Sequence, residues 1–159
     1  MAKRLYAPNI KINFAPSERQ LELWEKLQPA KCDKCGGKIE MRQHGVDDKG
    51  FPIYEATCVE CGNTDIPEQI LGGGAAGGGK SYLGCCWLTL SCMTFPNILM
   101  AVGRLTLKSL KESTWRTLLN VLKDWGLKED LNYHINNQAG SLTFWNGSTI
   151  LMMELSPSL

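Results

Sequence analysis

Apolar positions change their period along this chain, and each change marks a boundary. Ile10, Ile12 and Phe14 alternate with polar residues, which fits a short strand or an extended arm. Pro16-Ser17-Glu18-Arg19-Gln20 then opens a helix. Ser17 suits the N-cap, and Gln20, three residues on, completes a capping box. Leu21, Trp24 and Leu27 give that helix an apolar stripe. From residue 31 to 64 the periodicity dissolves: glycines are frequent, large aliphatics few, and burial alone is too small to hold a fold.

Beyond Pro67 the pattern becomes α/β. Gln69-Ile70-Leu71 reads as a short strand entering a glycine-rich loop, and a helix is predicted from about Gly79 to Met93. Asn97 to Gly103 is a continuous apolar run, read as a central parallel strand covered on both faces. Leu107, Leu110, Trp115, Leu118, Leu122 and Trp125 mark one long amphipathic helix closed by Gly126. The segments Leu142–Trp145 and Thr149–Met153 meet at Asn146-Gly147, a strong hairpin signal. The chain thus divides into an N-terminal arm and helix (1–30), a cysteine-bearing insert (31–64) and an α/β core (65–159).

Composition narrows the function classes. A net charge of +1 provides no overall field toward nucleic acid or membrane, so any DNA contact needs a local patch. Apolar runs are too short to span a bilayer, and the N-terminus has no h-region for secretion. Seven cysteines in a reducing cytoplasm point to metal binding or packing before disulfides. Cys85, Cys86 and Cys92, among Leu83, Trp87 and Leu88, are read as buried small hydrophobes.

Two constellations carry chemistry. Gly74-Ala75-Ala76-Gly77-Gly78-Gly79-Lys80-Ser81 satisfies every fixed position of a phosphate-binding P-loop, with a predicted strand before it and a helix after. Glycines let consecutive amides turn inward as an anion nest, and the helix adds the positive end of its dipole. Lys80 is expected to reach the β- and γ-phosphates of ATP, and Ser81 to ligate Mg²⁺, with Tyr82 following on the helix.

The second constellation is Cys32-x-x-Cys35-Gly36 and Cys58-x-x-Cys61-Gly62, separated by 22 residues. The spacing is close to the range of a Cys₄ zinc site, which would be structural rather than catalytic because no coordination position stays open. His44 is an alternative ligand, and a redox dithiol pair an alternative chemistry. Lys31, Lys34, Lys38, Arg42 and Lys49 make the insert locally basic, offset by Asp33, Glu40, Asp47, Asp48, Glu55 and Glu60. DNA contact, protein contact and a purely structural knob all remain open for it.

Phe14–Gln20 with Trp24, the loop Leu71–Ser81, Val102-Gly103-Arg104-Leu105-Thr106 with Leu110 and Ser113, and Phe144-Trp145-Asn146-Gly147-Ser148 follow in order. This set resembles the N-terminal ATPase half of a tailed-phage large terminase subunit. The resemblance covers most of the chain outside the insert.

It implies a P-loop NTPase core of the additional-strand type with a parallel sheet, interrupted by a zinc ribbon. It also implies ATP hydrolysis coupled to translocation of double-stranded DNA in the host cytoplasm. The partners would be a small terminase subunit, the portal protein and further copies in a homo-oligomeric ring. Under that resemblance Gln20 contacts adenine, against its plain role in the capping box. Arg104 senses the γ-phosphate or a neighbouring subunit, against a solvated strand end. Lys108, Lys111, Arg116 and Lys123 either track DNA or form a wet face.

The departures matter as well. The P-loop contains no arginine, and no strand ends in adjacent Asp-Glu, since Glu154 follows Met153. The carboxylates of the family's nuclease part are missing, so the chain is expected to be incomplete and inactive as an ATPase alone. The rival readings are another P-loop DNA motor, such as a helicase, and a zinc-stabilised binding module with a vestigial P-loop.

Overall fold

The computed structural model describes residues 4–10, 12, 14–27, 31–32, 34–48, 50, 52–64 and 79–155. They form two compact units, Pro16–Lys80 and a second made of Met1–Ala15 with Ser81–Leu159. The fold is mixed α/β with a mixed sheet in the second unit. No helix among the described residues is long and apolar enough to cross a membrane. The expected strand at 69–71 and the loop residues up to Gly78 lie outside the described residues.

The first unit opens with helix α1 (Glu18–Leu27). The Ser17 amide donates to Gln20 Oε1 at 2.9 Å, the returning half of the expected capping box. Strands β1 (Ile39–Val46) and β2 (Pro52–Cys58) form an antiparallel hairpin whose register slips between Gln43 and Val46. The hairpin leaves Met41, Val46 and Ile53 exposed, as expected of a segment too poor in aliphatics for its own core.

Helix α2 (Lys80–Thr94), which belongs to the second unit from Ser81 on, buries Leu83, Cys85, Cys86 and Cys92. Ile10, Ile12 and Phe14 carry no strand; instead the Tyr6 amide donates to the Leu131 carbonyl at 2.7 Å, and Phe14 lies 6.5 Å from the Tyr82 ring. Residues 11 and 13 of that segment lie outside the described residues.

Strand β3 (Leu99–Arg104) runs parallel to β6 (Thr149–Glu154), and β5 (Ser141–Phe144) and β4 (Tyr133–Asn136) follow in antiparallel order. Alternation then decides the core. Ile150, Leu142, Phe144 and Tyr133 lie in register on the buried face, while Leu99, Ala101 and Gly103 are exposed. The expectation that β3 is covered on both faces is therefore corrected, since it has one exposed face; among the described residues its single neighbour is β6. A short apolar run does not reveal whether one or two layers cover it.

The long helix predicted after β3 is present but changes pitch. It begins as α3 (Leu107–Leu110), widens into a π turn at Lys111–Trp115, and continues as α4 (Arg116–Asp124). The spacing of the stripe explains this. Leu110 and Trp115 are five residues apart, one more than an α-turn tolerates on a single face, yet both are buried. Thr106 caps the start, accepting from the Ser109 amide at 3.2 Å. At the other end Gly126 has φ +78, with Gly126 N–H donating to Lys123 and Leu127 N–H to Leu122, a Schellman closure.

Candidate metal centre

The four cysteines of the insert meet at one point. Their sulfur atoms all lie within 4.8 Å of one another. Cys32 Sγ is 3.8 Å from Cys61 Sγ, and Cys35 Sγ is 3.5 Å from Cys58 Sγ. Four thiolates about 2.3 Å from a common tetrahedral ion would stand about 3.8 Å apart. The observed separations match that figure and are far beyond the ~2.05 Å of a disulfide.

Local backbone geometry builds each half. Gly36 and Gly62, the residues after the second cysteine of each pair, have φ of +74 and +68. Only glycine takes that conformation freely, and it folds the Gly36 amide onto the Cys32 carbonyl at 2.8 Å and the Gly62 amide onto the Cys58 carbonyl at 3.0 Å. The Gly37 amide donates to Cys35 Sγ at 3.4 Å. Strand β2 delivers Cys58 directly, and the ladder pairs it with Ile39 of β1.

The electrostatics follow from the same turns. The Cys35 amide, then that of Lys34, holds the Cys32 thiol down at about 6. The amides of Cys61 and then Glu60 lower Cys58. The Gly37 amide pulls Cys35 downward, but the neighbouring thiols of Cys61 and Cys58 outweigh it and push Cys35 up to about 12. Four sulfurs this close resist carrying charge together without a cation among them. The donor set suits a thiophilic ion such as zinc, and with four ligands it leaves no position for substrate.

His44 is not a member of the cluster. It lies on β1, 3.2 Å from Glu55. The basic character expected of the insert is also tempered: Lys38 pairs with Glu40 at 2.8 Å, and Arg42 stands 4.0 Å from the same carboxylate. Two residues that the spacing argument passed over complete the surroundings. Lys34 Nζ donates to Asn63 Oδ1 at 2.7 Å, and Asn63 Nδ2 donates to Cys32 Sγ at 3.8 Å. A polar amide directly after Gly62, the glycine of the second Cys-x-x-Cys-Gly knuckle, was the available signal.

Of the residues that the sequence reads as a P-loop, Gly74, Ala75, Ala76, Gly77 and Gly78 lie outside the described residues. Gly79 has φ +70 and directly precedes α2, whose first residue is Lys80. A Cβ on Gly79 would displace the end of the Gln20 side chain, and the positive φ itself favours glycine there. Gln20 Nε2 donates to the Gly79 carbonyl, a long bond at 3.4 Å. Its Oε1 serves the helix cap, so the two ends of the Gln20 amide have separate partners. Ser81 is exposed on α2, and Tyr82 is half-buried beside Phe14. Arg104 ends β3, with Nε donating to Thr114 Oγ1 of the π turn at 2.9 Å.

No protein-family model, no curated protein and no solved structure matches this chain, so its function is read from its own residues.

Proposed function

We propose that the chain is the ATP-binding part of a viral DNA-packaging motor, a large terminase subunit. The observation that carries the reading is the helix that starts on the P-loop lysine itself: α2 opens at Lys80, directly behind a glycine at positive φ. A helix N-terminus behind a glycine loop offers unpaired amides and a favourable dipole to a phosphate chain. Lys80 and Ser81 would hold Mg²⁺·ATP there, with Gly74–Gly79 supplying amides. ATP supplies the phosphoryl chemistry that drives duplex DNA in this reading. The small terminase subunit, the portal and further copies in a ring are the partners, and Arg104 is the candidate charge sensor. The four-cysteine centre holds zinc as a structural element.

Affinity for Mg²⁺·ATP, measured by calorimetry on the chain and on Lys80→Ala, tests the assignment. Binding by the parent chain and a loss of at least tenfold in the variant are expected, because a phosphate contact of this kind is charge-assisted. Equal and negligible binding by both would overturn it in favour of a metal-stabilised binding module with a vestigial loop. Turnover by these 159 residues is expected to be negligible, since Glu154 follows Met153 where an aspartate would be needed for Mg²⁺. DNA-stimulated hydrolysis would show a water-activating carboxylate elsewhere in the chain.

A further inference from the structure

Two knuckles of the metal centre are tied to each other by more than a shared ion. The Val59 amide donates to the Lys38 carbonyl at 2.9 Å, joining the backbone of one knuckle to the exit of the other. The Cys58 amide donates to the Asn63 carbonyl at 2.9 Å, which fixes where the Asn63 side chain departs. That side chain faces two ways. Its oxygen accepts from Lys34, which lies between the two cysteines of the first knuckle, and its nitrogen points to the Cys32 sulfur.

The orientation of this amide is dictated by chemistry. A lysine ammonium only donates, so the amide oxygen must face Lys34. The NH₂ is then left on the side of Cys32, where a thiolate can only accept. A divalent ion with four thiolates carries a net charge of −2, and N–H donors to sulfur disperse that charge. The Gly37 amide does this for Cys35 at 3.4 Å. At Cys32 the Asn63 side chain adds a donor to the main-chain amides of Cys35 and Lys34 that already serve the sulfur.

We propose that Asn63 is a positioning residue of the metal centre. It donates to the Cys32 sulfur and couples the Lys34 charge to the thiolate cluster, and so sets how firmly the site retains its ion. The proposal rests on the four cysteines holding a metal. It concerns residues that ligate nothing themselves, and the effect comes from stabilising the electron-rich sulfur.

The test uses the whole chain loaded with Zn²⁺ or Co²⁺, in the parent form and as Asn63→Asp, Asn63→Ala and Lys34→Met. Asn63→Asp keeps an oxygen for Lys34 but has no donor for Cys32, and it places a negative charge beside the sulfur. Release of Zn²⁺ to excess chelator is expected to accelerate on the order of tenfold or more in Asn63→Asp and Asn63→Ala. Lys34→Met should give a smaller acceleration, and the sulfur-to-Co²⁺ charge-transfer band should shift in both Asn63 variants.

A purely structural tie between knuckles predicts otherwise: Asn63→Asp would behave like the parent while Asn63→Ala alone lost metal, and that result overturns the proposal. Unchanged release and an unmoved band in both Asn63 variants overturn it too. Should Asn63→Ala not fold, Asn63→Asp decides by itself. If the parent chain gives no tetrathiolate Co²⁺ spectrum at all, the metal reading falls first and the proposal with it.

Discussion

Asn146 donates its side-chain amide to the main-chain carbonyl of Cys92 at 2.8 Å, so the turn of the β5–β6 hairpin caps the last turn of α2. Ser148, fully buried, does the same for the Phe95 carbonyl at 2.6 Å, and the Asn97 amide returns a bond to the Asn146 carbonyl at 3.2 Å. The Asn-Gly-Ser turn therefore has two tasks. It closes the hairpin through Gly147, at φ +84, and it satisfies helix carbonyls that would otherwise be orphaned.

Replacing Ser148 by Ala should destabilise the fold by about 1–3 kcal/mol, because the fully buried Ser148 hydroxyl no longer donates to the Phe95 carbonyl. Gly147→Ala should cost at least as much, since a Cβ there would collide with the Asn97 side chain at a φ that disfavours it. Chemical denaturation of both variants against the parent chain checks the pair. An effect near zero for Ser148→Ala would mean the turn is not clasped to the helix.

Metal content should be close to one equivalent of Zn²⁺ per chain in protein purified without chelators. The β1–β2 hairpin has little buried apolar surface, so its folding free energy is expected to come largely from the ion. Chelation should abolish its amide protection in hydrogen exchange while leaving β4–β6 protected. Cys58→Ser should mimic chelation; a variant retaining a full equivalent at unchanged affinity would remove Cys58 from the ligand set.

The thiols of α2 behave oppositely. Burial pushes Cys85 and Cys92 up to about 12 and Cys86 to about 11, from an ordinary value of 9.0. These groups are protonated more readily in the folded than in the unfolded chain. Their contribution to stability is thus fully present below pH 9 and is lost as pH rises through 11 to 12. Stability should decline above pH 9, and a thiol reagent at neutral pH should leave these three cysteines unmodified in the folded, metal-loaded protein. Rapid labelling of Cys86 would contradict its burial.

Gln20 offers a separation of roles. Gln20→Glu keeps an oxygen for the Ser17 amide but removes the donor to Gly79, whereas Gln20→Ala removes both. The first should retain α1 stability, and the second should lose about 0.5–2 kcal/mol, as for a lost cap. Nucleotide affinity should fall in both if the Gln20–Gly79 contact shapes the loop. Full affinity in Gln20→Glu would confine Gln20 to capping.

Much of this was legible from short-range signals. The knuckle glycines, the capping box at Ser17 and Gln20, the Gly126 closure and the Asn-Gly hairpin all depend on residues within about five positions of one another. Even the π turn has a visible cause, the five-residue gap between Leu110 and Trp115. Strand β4 escaped notice because Tyr133-His134-Ile135-Asn136 is brief and ends in Asn136, whose side chain accepts from the Gln138 and Ala139 amides to make the next turn.

Cysteine spacing by itself determined that four sulfurs could share one ion, since a Cys-x-x-Cys turn fixes its own geometry. Sequence could not say that Cys32 comes within 3.8 Å of Cys61 and Cys35 within 3.5 Å of Cys58, or that Asn63 would reach back to Cys32. Nor did it settle which face of β3 meets a helix, or that Asn146 would cap α2. Those relationships join groups tens of residues apart, whose separation in space depends on how β1 pairs with β2 and β3 with β6. Side-chain chemistry sets what each group can bond; only the packed backbone brings a particular donor within about 3 Å of a particular acceptor.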